Sequence, residues 1–208
     1  NESALSIAGP LLENLVLITG GARSGKSTLA EKLAGERSSN VVYLATMPRI
    51  EEDEELEGKI NAHKSRRPSS WRTVEETVEI ADVIESLTNS DGACLIDCLS
   101  AYVSNIMYNH EQKTDLAKDA KPVETLEEVI QPGLNKLLES IKRKNKILFI
   151  IVTNEVGWSI VPENKNARIF RELLGAANQT LARSADSMYL CCSGITIRVK
   201  SAGKELLS

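Results

Sequence analysis

The sequence has no long basic stretch, and its charges of the two signs are close to balanced. Among its 208 residues, 25 are Lys or Arg and 29 are Asp or Glu, which gives a net charge of -4. Duplex nucleic acid is therefore a poor candidate for a partner, because its phosphates require a dense cationic surface. We expect small-molecule ligands and no nucleic acid.

The sequence also lacks an apolar run of the roughly 20 residues that a membrane-spanning helix needs. Its first residues show no basic stretch followed by a hydrophobic one, which would indicate a secretory signal. We expect no membrane span and a cytoplasmic protein. The four cysteines lie in apolar runs without metal-type spacing, and we expect reduced core thiols at Cys94, Cys98, Cys191 and Cys192.

Short apolar runs alternate with longer amphipathic segments along the chain. Residues 1–13 show no periodicity and are predicted to form a flexible arm, and residues 14–208 a single domain. The alternation predicts an α/β fold with a mostly parallel sheet covered on both faces and a C-terminal hairpin turning at Ser193-Gly194. Strands are predicted at 15–19, 41–46, 71–76, 93–99 and 146–156, helices at 26–37, 77–88, 100–109, 123–143 and 166–184, and a polar loop at 110–122.

The first predicted strand is followed by the segment GGARSGKS, which matches the P-loop pattern G-x-x-x-x-G-K-[ST]. In such a loop, glycines allow the backbone N–H groups to point inward, and the helix start adds its positive end. The lysine reaches the outer phosphates, and the Ser or Thr ligates Mg²⁺. The segment therefore predicts a polyphosphate site rather than a simple glycine turn. Its residues are Gly20, Gly21, Ala22, Arg23, Ser24, Gly25, Lys26 and Ser27.

A P-loop needs a second acid for its metal, normally at the end of another buried strand. Asp97, in CLIDC, is predicted to be that acid, and it would hold Mg²⁺ together with Ser27. An N-cap for the helix starting near Ser100 is an alternative role that is compatible with the first. Glu75 or Glu76, after WRTV, is either another pocket acid or a solvated surface residue.

The chain contains two histidines, His63 and His110. His63 lies in NAHKSRRP among cationic residues, and a neutral imidazole can attack phosphorus near pH 7 while the cations hold the phosphate. From the spacing alone, a surface histidine is favoured over a nucleophile. His110 has no comparable neighbours and is predicted to lie on the surface.

Further motifs follow the P-loop in a fixed order: YLAT, HKSRRP, WRTVE, DCL, TNEVG, IVPEN and ARIFRELLGAANQTLA. Together with GGARSGKS they resemble the bifunctional adenosylcobinamide kinase/adenosylcobinamide-phosphate guanylyltransferase family of cobalamin biosynthesis. The resemblance covers all but the N-terminal arm. It implies a three-layer, RecA-like P-loop NTPase fold and a homotrimer with sites near subunit borders.

The resemblance also implies a two-step reaction. A nucleoside triphosphate, either ATP or GTP, first phosphorylates the aminopropanol hydroxyl of adenosylcobinamide. A histidine then attacks GTP to form a covalent GMP-histidine, and GMP passes to the new phosphate. The residue that matches this histidine is His63, so the resemblance favours a nucleophile where the spacing alone favoured a surface histidine. Lys26 is expected to be the other catalytic residue, and Mg²⁺ the cofactor.

Roles in nucleotide binding are implied by the same resemblance. Beyond the P-loop, they fall on Ala45, Thr46, Met47, Lys64, Ser65, Arg66, Arg67, Glu75 and Asp97. Asn154, Glu155 and Gly157 are implied as active-site rim or subunit contact. Arg168 and Arg171 would help to bind phosphate, or else form a solvated stripe or ion pairs.

Two other functions remain open from the residues alone. A generic small-molecule kinase would explain the P-loop and Asp97, but it would leave HKSRRP and NEVG without a role. A non-catalytic GTP-binding regulator should carry N-K-x-D at a strand end, where this chain has TNEV.

Overall fold

The computed structural model describes residues 13–48, 67–116, 127–201 and 204–205. The strands within these ranges are β1 (Leu15–Gly20), β2 (Val41–Ala45), β3 (Arg72–Glu75), β4 (Ala93–Asp97), β5 (Leu148–Val152), β6 (Ser187–Cys192), β7 (Ile195–Ser201) and β8 (Lys204–Glu205). The helices are α1 (Lys26–Arg37), α2 (Ile80–Ser86), α3 (Leu99–Leu116), α4 (Glu127–Arg143) and α5 (Lys165–Ser184).

All of these strands join one sheet in the order β3-β2-β4-β5-β1-β6-β7-β8. The first six strands of the chain run parallel, and β7 and β8 are antiparallel additions at one edge. β1 and β5 are buried at every residue, as expected of parallel strands that are covered on both faces. The α/β P-loop architecture predicted from the sequence is confirmed.

The two faces of the sheet are covered unequally by the described helices. Successive strand residues point to opposite faces, so Val16 and Ile18 of β1 pack with α1, whereas Leu15 and Leu17 pack with α2, α3, α4 and α5. We call these the α1 face and the four-helix face. Among the described residues, no helix is both long and apolar enough to cross a membrane.

The hairpin between β6 and β7 turns at Ser193 and Gly194, as predicted. Cys192 pairs with Ile195, which leaves a two-residue turn. Both turn residues have positive φ, 51° at Ser193 and 81° at Gly194. This is the conformation of a type I′ turn, whose twist suits a two-residue hairpin.

Several predicted boundaries need correction. Helix α3 continues to Leu116, so the loop expected over 110–122 is wrong for residues 110–116, and the rest of that range lies outside the described residues. The sequence of residues 110–116 contains no Pro or Gly that would end the helix earlier. β5 is shorter than the predicted 146–156. α2 begins only at Ile80 because the Glu76 carboxylate accepts hydrogen bonds from the N–H groups of Val78 and Glu79 in the preceding turn.

Candidate active site

The P-loop connects the end of β1 to the start of α1, at the carboxyl edge of the sheet. Gly20 has a φ of 150°, and a Cβ there would lie 2.2 Å from the carbonyl oxygen of Cys191 and 2.8 Å from Ser24 Oγ. Gly25 has a φ of 98°, which side chains rarely adopt. The loop conformation therefore requires glycine at both ends.

Helix α1 begins at Lys26, directly after Gly25, with its N-terminus at this loop. No side chain caps the helix, and its first turn carries no acidic residue. The first N–H groups of a helix have no partner within it, and they form a site for anions together with the helix dipole. The start of α1 is thus suited to bind phosphate.

The Lys26 ammonium is held inside the loop. The residue is only 8% exposed, and Nζ donates to the Gly21 carbonyl at 2.5 Å and lies 3.5 Å from Ser24 Oγ. Burial lowers the pKa of Lys26, and the nearby groups of Cys191, Cys98 and Asp97 oppose this shift. A buried cation surrounded by loop backbone is well placed to bind a phosphate oxygen.

Neighbouring strands support the P-loop from behind. The Gly194 N–H, in the β6–β7 turn, donates to the Ser24 carbonyl at 3.0 Å. The Glu155 N–H, after β5, donates to the Gly20 carbonyl at 3.2 Å, and its carboxylate accepts a hydrogen bond of 2.6 Å from the Thr19 hydroxyl. Parts of the chain more than 130 residues away in sequence therefore fix the loop.

Ser27 and Asp97 meet in front of the loop, as the predicted metal pair. Ser27 Oγ lies 3.4 Å from Asp97 Oδ2, and the Tyr43 hydroxyl donates to the same oxygen at 2.7 Å. A hydroxyl and a carboxylate are oxygen ligands that suit Mg²⁺, which commonly takes one or two carboxylates and completes its shell with phosphate oxygens and water. These residues therefore fit a magnesium ion that is bound together with a nucleotide.

The alternative role of Asp97, as a cap for the start of α3, stays a prediction. Burial raises the pKa of the neighbouring Cys98 thiol. The described hydrogen bonds of the Asp97 carboxylate go to Ser27 and Tyr43. The carboxylate thus points toward α1 and the P-loop.

The strand register places Glu75 in line with Asp97. Glu75 pairs with Ala45, and Ala45 pairs with Asp97, so the three residues share the α1 face at the carboxyl edge. Glu75 is exposed on the edge strand. Glu76 instead accepts backbone hydrogen bonds from the turn before α2, first from Val78, and these lower its pKa. Of the two candidate pocket acids, Glu75 keeps the better position.

Thr46 and Met47, expected to line the nucleotide pocket, differ in their surroundings. Thr46 is fully buried, and its hydroxyl accepts from the Cys98 N–H and donates to the Cys98 carbonyl, both at 2.7 Å. The side chain thereby ties the end of β2 to the end of β4. Met47 is 46% exposed and is free to contact a ligand.

The TNEV segment after β5 belongs to a buried polar network. Asn154 donates from Nδ2 and from its backbone N–H to Ser100 Oγ, each at 3.0 Å. Asn178 on α5 donates to the Asn154 carbonyl at 3.1 Å and accepts from the Thr153 hydroxyl at 2.7 Å. This network fixes the end of β5 relative to the start of α3 and to α5.

Three arginines named from the sequence have partners within the protein. Arg168 donates to the carbonyls of Pro162 and Glu163, and Arg171 to that of Gly157, so both brace the loop before α5. Arg67 lies over the Tyr43 ring. Arg67 belongs to the segment HKSRRP. Its other predicted site residues lie outside the described residues: His63, Lys64, Ser65 and Arg66.

The sequence reasoning missed Tyr43 and Thr19. Each lies within a strand and donates a hydrogen bond to an acid at the carboxyl edge, Asp97 and Glu155 respectively. A hydroxyl inside an otherwise apolar strand was the available signal, because a buried hydroxyl needs a partner.

Comparison with known proteins agrees with this geometry at two levels. The structure of a prototypical ATPase from the type III secretion system of pathogenic bacteria superposes with a TM-score of 0.50 at 14% identity, covering 86% of this chain and 51% of the ATPase. That similarity concerns the fold alone.

Sequence similarity extends over most of the chain. The bifunctional adenosylcobalamin biosynthesis protein CobU of Escherichia coli K12 is 37% identical over 186 residues, which are 89% of this chain and 99% of that protein. The protein of the same name from Salmonella typhimurium is 37% identical over 191 residues, with the same coverage. The family model described as cobinamide kinase/cobinamide phosphate guanyltransferase matches residues 16–199. The chain therefore belongs to this family of transferases, which combine kinase and nucleotidyltransferase activities.

Proposed function

We propose that this chain phosphorylates adenosylcobinamide and then transfers GMP from GTP to the product, giving adenosylcobinamide-GDP in cobalamin biosynthesis. The observation that carries the proposal is the P-loop with its buried Lys26 facing the Ser27 and Asp97 pair, in a chain of this family. The cytoplasm, expected from the sequence, is the proposed location.

In the kinase step, the P-loop amides and the start of α1 bind the phosphates of ATP or GTP. Lys26 holds the outer phosphates, and the aminopropanol hydroxyl of adenosylcobinamide attacks the γ-phosphorus. A new oxygen–phosphorus bond forms, the bond to the β–γ bridging oxygen breaks, the nucleoside diphosphate leaves, and the hydroxyl loses its proton. Ser27 and Asp97 would hold Mg²⁺, which neutralises charge on the phosphate oxygens when it is bound.

In the guanylyl step, the proposed nucleophile is the imidazole of His63. One ring nitrogen attacks the α-phosphorus of GTP, so a nitrogen–phosphorus bond forms and pyrophosphate leaves. An oxygen of adenosylcobinamide phosphate then attacks the same phosphorus and restores the free imidazole. Support for His63 comes from the resemblance of HKSRRP to the family motif.

Labelling with GTP carrying radioactive α-phosphate tests the covalent step. In the presence of Mg²⁺, the protein should acquire label that is labile to acid and stable to alkali, as a phosphoramidate is. His63→Ala should abolish the label, whereas the matched variant His110→Ala should keep it. Label of the same stability on the His63→Ala protein would remove His63 as the nucleophile.

The assembly proposed from the family resemblance is a homotrimer. Sedimentation equilibrium should then give a mass about three times the 22.8 kDa of the chain. A monomer or dimer at all protein concentrations would refute this part of the proposal without affecting the chemistry of the P-loop.

A further inference from the structure

Tyr43 connects the metal pair to the middle of strand β2. Its side chain lies on the α1 face, is 6% exposed, and donates a hydrogen bond of 2.7 Å from the phenol to Asp97 Oδ2. β2 and β4 are neighbours, and Ala45 on β2 pairs with Asp97. The phenol therefore reaches the acid from the adjacent strand, two residues before that pair.

The direction of this hydrogen bond is fixed. A carboxylate oxygen has no proton to donate, so the phenol is the donor in this hydrogen bond. Burial also raises the pKa of Tyr43 above its ordinary value. An O–H donor facing a carboxylate forms a charge-assisted hydrogen bond, which is stronger than one between neutral groups. One oxygen of Asp97 is thereby anchored to the sheet.

The tyrosine ring is itself held from the opposite side. The guanidinium carbon of Arg67 lies 3.2 Å from the ring centroid, and Arg67 Nε lies 3.6 Å from Glu31 Oε1 on α1. The Arg67 side chain is only 7% exposed. With Arg67 stacked above it, the ring has little freedom to turn away from Asp97.

These contacts form a closed path that begins and ends on α1. It passes from Glu31 through Arg67, Tyr43 and Asp97 to Ser27. Asp97 can accept hydrogen bonds or metal-bound water at about four lone-pair sites, and the phenol occupies one of them. Ser27 Oγ lies 3.4 Å from the same oxygen, so the phenol and Ser27 meet at Asp97 Oδ2.

We propose that Tyr43 is a positioning residue that fixes the Asp97 carboxylate for the magnesium ion bound with the nucleotide. This inference rests on the proposed function only in taking Asp97 as the acid on the metal side. Tyr43 acts through Asp97 and does not touch the nucleotide. Its removal should therefore weaken the contribution of Mg²⁺ to binding and leave metal-independent binding of the nucleotide unchanged.

The chain offers a matched control in Tyr189. This tyrosine on β6 is also buried on the α1 face, and the guanidinium of Arg198 lies 5.6 Å from its ring centroid. Burial likewise raises its pKa, with Arg198 and Glu13 as its charged neighbours. Tyr189→Phe removes a hydroxyl in a similar setting on the other side of β1, away from Asp97.

The experiment measures GDP binding by calorimetry at a series of Mg²⁺ concentrations and in EDTA. Tyr43→Phe keeps the ring under Arg67 and removes the donor. We expect the Mg²⁺ concentration for half-maximal effect to rise about tenfold, the size typical of a lost hydrogen bond to a charged group. GDP affinity in EDTA should not change, and Tyr189→Phe should behave as the wild type in both conditions.

Three results would overturn the inference. An unchanged Mg²⁺ requirement in a folded Tyr43→Phe protein would refute it and leave the proposed function standing. Equal weakening in Mg²⁺ and in EDTA would indicate a structural role instead. If the GDP affinity of the wild-type protein did not depend on Mg²⁺, Asp97 would have no role in metal binding. That part of the proposed function would then be refuted as well.

A double-mutant cycle gives a second, independent readout. In an Asp97→Asn background, Tyr43→Phe should no longer change the Mg²⁺ requirement, because the group it positions has lost its charge. Additive effects of the two substitutions would contradict the inference. Thermal unfolding of each variant verifies that the comparison is made between folded proteins.

Discussion

The two faces of the sheet are built for different tasks. On the four-helix face, helices α2 to α5 cover a continuous cluster of large aliphatic side chains with Phe149 and Tyr102 at its centre. On the α1 face, the described part of the chain supplies one helix, whose buried residues are Lys26, Ala30, Leu33 and Ala34. Both faces bury apolar side chains, but the α1 face also buries the Lys26 ammonium.

Most of the stabilisation of the fold and the residues of the candidate active site therefore lie on different faces of the sheet. Apolar burial stabilises a domain roughly in proportion to the area removed from water, so the four-helix face contributes the larger share. Lys26, Tyr43 and Asp97 instead lie on the α1 side of the carboxyl edge. Substitutions on the two faces should therefore affect different measurements.

The largest effect is expected for Lys26→Ala on the α1 face. Phosphoryl transfer to adenosylcobinamide should fall by about 10² to 10³-fold, the usual loss when one preorganised charged donor is removed. The melting temperature should change little, because the substitution also removes a buried charge. Lys32→Ala, an exposed position on the same helix that pairs with Glu36, is the matched control and should retain activity. Unchanged turnover in Lys26→Ala would exclude the P-loop role.

On the four-helix face, Leu134→Ala tests the opposite side of the comparison. Leu134 is fully buried on α4, so its truncation should lower the free energy of unfolding by about 2 to 5 kcal/mol. GDP affinity of the folded protein should remain that of the wild type. Leu134→Met, which nearly conserves the volume, should cost less than about 1.5 kcal/mol. If Leu134→Ala weakened GDP binding as much as Lys26→Ala does, the two faces would not have the separate roles described above.

The smallest effect, on both measurements at once, is expected for Asn178→Ala. Asn178 lies on α5 of the four-helix face, but its amide serves Thr153 and Asn154 at the carboxyl edge. Its removal leaves a buried hydroxyl and carbonyl without this partner, which should cost about 1 to 3 kcal/mol of stability. The family resemblance implies that Asn154 lies at the active-site rim or at a subunit contact, and a position at the rim predicts that turnover also falls, by less than in Lys26→Ala. If Asn178→Ala lowered the stability but not the turnover, the network would have a role in folding only.

The features that can be predicted from the sequence are those that depend on residues close together in the chain. The P-loop is a contiguous segment between a strand and a helix, and Asp97 comes directly after an apolar run. The type I′ turn at Ser193 and Gly194 follows from its two residues and their flanks. Such signals need no knowledge of what lies far away in the chain.

What the sequence did not reveal depends on partners distant in the chain. Tyr43 and Asp97 are 54 positions apart, and only the pairing of β2 with β4 brings them together. The bonds between the Thr46 hydroxyl and the backbone of Cys98 likewise join residues that are far apart in the sequence. The polar sequence of residues 110–116 is compatible with a loop and with a helix, so the pattern alone does not place the end of α3.

The contact between the β6–β7 turn and the P-loop has a consequence for how the protein matures. Gly20 lies against the Cys191 carbonyl, and the Ser24 carbonyl accepts the Gly194 N–H. During translation, residues 191–194 emerge long after residues 20–25. A nascent polypeptide on the ribosome thus cannot finish its nucleotide cradle until the hairpin has emerged.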